Sequence, residues 1–77
     1  MEEHKKITRH IKDSHYFRNA TVTLDEEGCA RYGKYRGTVS YERYSGAVWI
    51  PCFLSDNFYD RDAAIEYCKN AVRQLSA

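Results

Sequence analysis

The chain has 77 residues, and its twelve Lys and Arg residues against eleven Asp and Glu give a net charge of +1. A charged fraction of 30% beside 43% apolar residues is typical of a folded domain rather than a disordered segment. The length predicts one small domain over residues 1–77 with a thin core, and it excludes a large cleft between domains. A strongly basic nucleic-acid binder would carry a larger net positive charge.

Targeting signals are absent from the sequence pattern. No apolar run approaches the roughly 20 residues of a membrane helix, and the charged start at residues 1–6 leads into no apolar stretch. The three cysteines, Cys29, Cys52 and Cys68, are an odd number and are expected to be free thiols. We therefore expect a cytoplasmic protein with no membrane association.

Residues 1–15 are expected to form a flexible arm or a short helix. Ile7 and Ile11 are four positions apart, so a helix over residues 2–13 would place them on one face. Neighbouring β-branched residues such as Thr8 weaken that helix.

Alternating apolar and polar residues predict two strands in the middle of the chain. In residues 19–24, Ala20, Val22 and Leu24 share one face. The run at residues 25–28 then reads as a turn. Residues 34–43 alternate in the same way. Tyr35, Val39 and Tyr41 lie on one side, and the polar residues lie on the other: Arg36, Thr38, Ser40 and Glu42.

A third strand is predicted over residues 47–53, with apolar residues on both faces, and a loop over residues 54–59. Pro51 lacks an N–H donor, which indicates an edge strand. Ile50 falls on the same face as Val22 and Val39, whereas Trp49 and Phe53 fall on the opposite one.

Residues 61–75 read as an amphipathic helix, with Asp60 as its N-cap. Spacings of four, three and four align the apolar stripe of Ala64, Cys68, Ala71 and Leu75. The predicted fold class is α+β: a two-layer sandwich of a three-stranded antiparallel β-meander packed on a C-terminal α-helix, with the short N-terminal helix as an optional addition.

One helix on such a sheet leaves the second face open, and Trp49 and Phe53 would lie there. Our first expectation is that the N-terminal segment, with Ile7, Ile11, Tyr16 and Phe17, folds across them. The alternatives are contact with a protein or with a second copy of the chain, and stacking of nucleobases on the aromatic rings. The candidate binding surface comprises Arg31, Tyr32, Tyr35, Arg36, Arg43, Tyr44, Trp49 and Phe53.

The predicted order αβββα resembles that of the double-stranded RNA-binding domain. That family places a lysine-rich cluster at the start of its last helix to bind phosphates. Here the corresponding residues, Asp60-Arg61-Asp62, are mainly acidic. The chain is therefore not assigned to that family.

No catalytic, cofactor-binding or metal-binding motif stands out. No neighbouring residue marks His4, His10 or His15 as a general base held by a second group, and the cysteines are too widely spaced for a zinc motif. We expect no enzyme and no cofactor, but a small binding module that contacts an unknown protein or itself. The first alternative is weak nucleic-acid binding through the Tyr/Arg-rich hairpin. The second is a metal protein or enzyme that uses the N-terminal histidines.

Overall fold

The computed structural model describes residues 6–26 and 33–76. They form four strands followed by one helix: β1 Lys6–Ile11, β2 Phe17–Asp25, β3 Tyr35–Tyr44, β4 Trp49–Phe58 and α1 Arg61–Leu75. The strands lie in one sheet in the order β1-β2-β3-β4, and every neighbouring pair is antiparallel. The α+β class, the antiparallel sheet and the C-terminal helix are thus confirmed.

The N-terminal segment corrects one expectation, because residues 6–11 form a strand instead of part of a helix. Ile7 pairs with Leu24 and Ile11 pairs with Ala20 across β1 and β2. Residues four apart share a face in a strand as well as in a helix, so the isoleucine spacing fits both. Pairing with β2 satisfies the backbone groups of β1, and the sheet has four strands rather than three. The order ββββα also differs from that of the double-stranded RNA-binding domain.

Strand β4 is longer than predicted and includes most of the expected loop. It pairs with β3 over ten successive positions, from Tyr44 opposite Trp49 to Tyr35 opposite Phe58. Residues 55–57 are Ser, Asp and Asn, which favour turns over strands. Pairing with the full length of β3 overrides that local preference. Pro51 lies in an edge strand, as predicted.

A β-bulge in β2 changes which side chains share a face. The register with β3 shifts between Arg18 and Thr21, and Asn19 has a left-handed backbone with φ of 53°. A bulge adds one residue to one strand and so reverses the alternation beyond it. Phe17 and Ala20 therefore both face α1, while Arg18 faces the opposite side of the sheet.

Helix α1 covers the middle of the sheet, as the apolar spacing predicts. Ala64 and Leu75 are buried, and Leu75 joins Ala20, Val22 and Val39 in the core. Cys68, Ala71 and Val72 are partly buried against that core. Asp60 stands at the N-cap position, but its side chain makes no capping hydrogen bond.

Gly37 lets the helix approach β3. A Cβ atom at this position would lie 2.5 Å from the Cδ1 atom of Tyr67, which packs over the glycine. The Tyr67 ring also contacts Phe58, with 5.3 Å between the ring centroids. The helix packs mainly on β2 and β3. The α1-facing sides of β1 and of part of β4 are left uncovered, so Ile50 is exposed.

The outer edge of β4 offers few free backbone donors. The Asn57 N–H donates to the Oδ1 atom of Asp56 over 2.9 Å, so it points away from β3. Residues two apart along a strand point their backbone groups the same way. Pro51, Phe53 and Ser55 therefore also face outward, and Pro51 has no N–H to offer. Only Phe53 and Ser55 remain as free outward donors between these two positions.

Candidate functional site

The sheet face turned away from α1, here called the open face, is mainly polar. Thr21, Thr23, Arg36, Thr38, Ser40 and Glu42 share it with Trp49 and Phe53, as the alternation predicts. Strand β1 adds Lys6, Thr8 and His10, and the Thr8 and Thr23 hydroxyls lie 3.1 Å apart. Large apolar side chains on this face therefore stand out, and they lie in the half of β4 nearest the β3–β4 turn.

Three aromatic residues of β3 and β4 on the open face form what we call the aromatic platform: Tyr44 and Trp49 at the turn, and Phe53 about 13 Å from Trp49 along β4. The Tyr44 and Trp49 ring centroids are 5.1 Å apart with the planes tilted by 52°. The Phe53 side chain lies one strand position beyond Pro51 on the same face, and 67% of its surface is exposed. Aromatic residues are enriched at protein interfaces, which makes Phe53 a candidate contact residue on this face.

Arg18 supports the platform from β2. Its Cζ atom lies 4.5 Å from the centroid of the Trp49 ring, within the range of a cation–π contact. Its Nε and Nη2 atoms donate to Oε1 of Glu42 over 3.2 and 3.0 Å. Trp49 thus contacts both the Tyr44 ring and a guanidinium that Glu42 holds in place.

Glu42 links this arrangement to the bulge. The Nδ2 atom of Asn19 donates to its second oxygen over 2.5 Å. The hydrogen bonds from Asn19 and then from Arg18 hold the pKa of the Glu42 carboxyl below its ordinary value. Glu42 therefore stays ionised at neutral pH and fixes both side chains that the bulge turns toward it.

The turn between β3 and β4 is itself held by hydrogen bonds. The Ser45 N–H donates to the Val48 carbonyl over 2.8 Å, and the Tyr44 hydroxyl donates to the Gly46 carbonyl over 2.7 Å. Gly46 has φ of 80°, a conformation that glycine adopts without strain. The Tyr44 N–H also donates to the Tyr16 carbonyl over 2.9 Å. The Tyr44 end of the platform is therefore fixed by the turn.

The structure places half of the predicted candidate residues on one face, with Arg36 eight positions from Tyr44 along β3 and so at the opposite end of that face. Arg36, Tyr44, Trp49 and Phe53 share the open face, whereas Tyr35 and Arg43 lie on the face toward α1. Arg31 and Tyr32 lie outside the described residues. The Tyr/Arg-rich hairpin thus does not present its described side chains as one surface.

The expected N-terminal cover over Trp49 and Phe53 is wrong for residues 6–17. Ile7, Ile11 and Phe17 face α1 with the core strands, and Phe17 meets Tyr41 edge to face at 5.5 Å between centroids. Tyr16 is exposed. Since β1 pairs beside β2, this part of the chain widens the sheet instead of covering its open face.

Sequence reasoning missed Arg18, because strict alternation gives no reason to place it beside Trp49. The one available signal was Asn19, since asparagine is enriched in the left-handed conformation that bulges use. An asparagine directly before an alternating run is too common to identify a bulge on its own.

The other candidate groups form no site. Within residues 6–26 and 33–76, no three His, Cys, Asp or Glu side chains lie close enough to hold a metal ion. Cys52 and Cys68 are free and partly buried, and burial raises the pKa of the Cys68 thiol. Among the helices of the described chain, none is long and apolar enough to cross a membrane.

Comparison of the sequence with models of protein families, with curated proteins and with solved structures finds no match. The function of the chain therefore has to be inferred from its own geometry and chemistry.

Proposed function

We propose that the chain is a non-enzymatic binding module that self-associates through its open face, with two aromatic platforms in contact across a two-fold axis. The observation that carries this proposal is the exposed Phe53 ring on the same face as the braced Tyr44–Trp49 pair. In such an isologous contact the same residues serve both copies.

The size of the open face supports a dimer. Strands about 4.8 Å apart with a rise of about 3.3 Å per residue give this face an area of roughly 600 Å². Two copies would bury about 1,200 Å², which is the lower end of a stable standard interface. A small domain with a thin core also gains stability from association.

The charges of the open face are compatible with a second copy of the same face. Arg18 is paired with Glu42, and the Nε atom of Arg36 donates to the Asn57 side chain over 3.1 Å. Asp25 stands opposite both Lys6 and Arg36 in the strand register. Both signs are thus interspersed, and the main cations are engaged within the face. A nucleic-acid surface would instead direct free cations toward phosphates.

Sedimentation equilibrium tests the proposal on the wild type and on two neighbouring variants. Phe53 and Leu54 are adjacent in β4, are 67% and 54% exposed, and point to opposite faces. We expect the wild-type mass to rise toward twice 9.0 kDa as concentration increases from about 1 µM to about 1 mM. Phe53→Thr should weaken the dimer about 30-fold, since it removes one anchor of about 1 kcal/mol from each copy.

Leu54→Thr is the matched control, and its dimerisation should equal that of the wild type. A wild-type mass that stays at 9.0 kDa throughout would contradict the proposal. Loss of the dimer in Leu54→Thr alone would place the contact on the α1 side. Amide shifts on Arg18 and Arg36 with single-stranded RNA or DNA, abolished by moderate salt, would favour the nucleic-acid alternative.

A further inference from the structure

A second surface lies on the opposite side of the sheet, where α1 leaves β1 uncovered. A groove of about 600 Å³ runs between β1 and α1. Ile7, Val22 and Leu24 lie along its floor, and Ile65 and Val72 line its helical wall. The Ile7 side chain is 57% exposed although it faces the apolar layer of the domain. Val22 and Leu24 are buried, so Ile7 of β1 is the apolar residue of this floor that the chain's own helix leaves exposed.

The rim of this groove is basic. Arg9, Arg61, Lys69 and Arg73 line it, and no Asp or Glu does so among the described residues. Arg61 is paired with Glu26, and Arg73 donates to the Asn70 side chain. Within the described ranges, Arg9 and Lys69 have no carboxylate partner. An occupant with carboxylates along its edges would complement this rim.

The dimensions of the sheet favour a helical occupant. Four strands about 4.8 Å apart make a sheet under 20 Å wide, and a helix is about 10 Å across. Since α1 lies over β2 and β3, a second helix packed about 8–10 Å from it would lie over β1 and extend past the outer edge of the sheet. Such helix-in-groove contacts use apolar anchors spaced three and four residues apart. An extended strand would instead pair along the outer edge of β1 and would leave the groove open.

We infer that this groove binds an acidic amphipathic helix from a partner protein, with its apolar face on Ile7 and Val72 and its carboxylates on Arg9, Lys69 and Arg73. The site is separate from the aromatic platform, because the two lie on opposite faces of the sheet. Binding should be steered by charge, so that the association rate falls as salt rises.

The test uses a synthetic peptide of about sixteen residues with leucines at helical spacings and glutamates between them. Two controls accompany it: a scrambled peptide of the same composition, and a peptide with lysines in place of the glutamates. Fluorescence anisotropy gives the affinities, and amide NMR shifts locate the contact. We expect only the acidic helix to bind, with shifts confined to β1, α1 and the floor of β2.

Charge reversal provides the specific variant. Lys69 and Arg73 are both exposed on α1, so Lys69→Glu with Arg73→Glu should leave the fold intact. This double variant should lower the affinity for the acidic peptide at least tenfold at low salt, and it should raise the affinity for the lysine peptide. Lys12→Glu with Arg43→Glu is the control, because it makes the same change in net charge at exposed positions that do not line the groove. It should change the affinity for neither peptide by more than twofold.

Ile7→Ala tests the apolar floor and should weaken the acidic peptide without changing the dimer. Phe53→Thr should bind the peptide as the wild type does, which separates this inference from the proposed self-association. Equal binding to the wild type and the charge-reversed variant would overturn the inference. The absence of any binding of the acidic peptide would also overturn it. Binding of the wild type to vesicles that contain phosphatidylglycerol, without peptide binding, would show that the basic rim contacts anionic lipid instead.

Discussion

Asn19 decides which side chains form the candidate site. Its left-handed backbone inserts the bulge that turns Phe17 toward the core and Arg18 toward Trp49. The same side chain then donates to Glu42, which holds Arg18 in place. Asn19 therefore links the backbone bulge to the contact between Arg18 and the half-buried Trp49 ring.

Substitution of Asn19 should separate these two contributions. Asn19→Val introduces a β-branched residue that is poorly suited to positive φ, and it should lower the free energy of unfolding by about 1–2 kcal/mol. Asn19→Gly keeps the backbone conformation and loses only the exposed hydrogen bond, so its effect should be smaller. Urea unfolding monitored by Trp49 fluorescence gives both values. Equal losses in the two variants would show that the side-chain bond, and not the backbone, matters at this position.

At the scale of elements, the predictable parts are those whose pattern has a single interpretation. The spacing of Ala64, Cys68, Ala71 and Leu75 fits a helix and no other element, and the observed bounds match the predicted ones. The spacing of Ile7 and Ile11 fits a helix and a strand equally well. Only pairing with β2 decides between them, and that information lies elsewhere in the chain.

The end of α1 offers a direct test of the helix register. Leu75 is 4% exposed and packs on Ala20, Val22 and Val39. Leu75→Ala should lower the free energy of unfolding by roughly 2–3 kcal/mol through lost packing and a residual cavity. Gln74→Ala is the control, because Gln74 is the neighbour of Leu75 and its side chain is exposed. Thermal and chemical unfolding should both show Leu75→Ala to be less stable than Gln74→Ala. A Leu75→Ala variant as stable as the wild type would refute the packing described here.

For the molecule as a whole, the open face and the presence of Trp49 and Phe53 on it were predictable, because alternation assigns side chains to faces once the strands are known. Trp49 and Phe53 were expected on this face, and the register confirms it. The groove beside β1 was not predictable, since it exists only where a fourth strand extends beyond the single helix. The basic rim combines residues from β1 and α1 that are more than fifty positions apart.

The edge of β4 gives a prediction at this scale. Pro51 removes one outward donor, and Asp56 occupies another at Asn57. Pro51→Val restores an N–H and extends the free edge, so the variant should form fibrils sooner than the wild type. Thioflavin T fluorescence measures the lag time. Pro51→Ala, which restores the donor with a weaker strand former, should fall between the two, and an unchanged lag in both would exclude edge protection by Pro51.

The other edge of the sheet, β1, exposes Lys6, Arg9 and His10 instead of a proline. Like charges there oppose the stacking of one β1 upon another. Pro51 in β4 and the basic side chains of β1 therefore disfavour strand addition at the two edges of the sheet. The proposed contact through the open face would close on two copies, because an isologous contact uses the same surface on both partners and leaves none for a third.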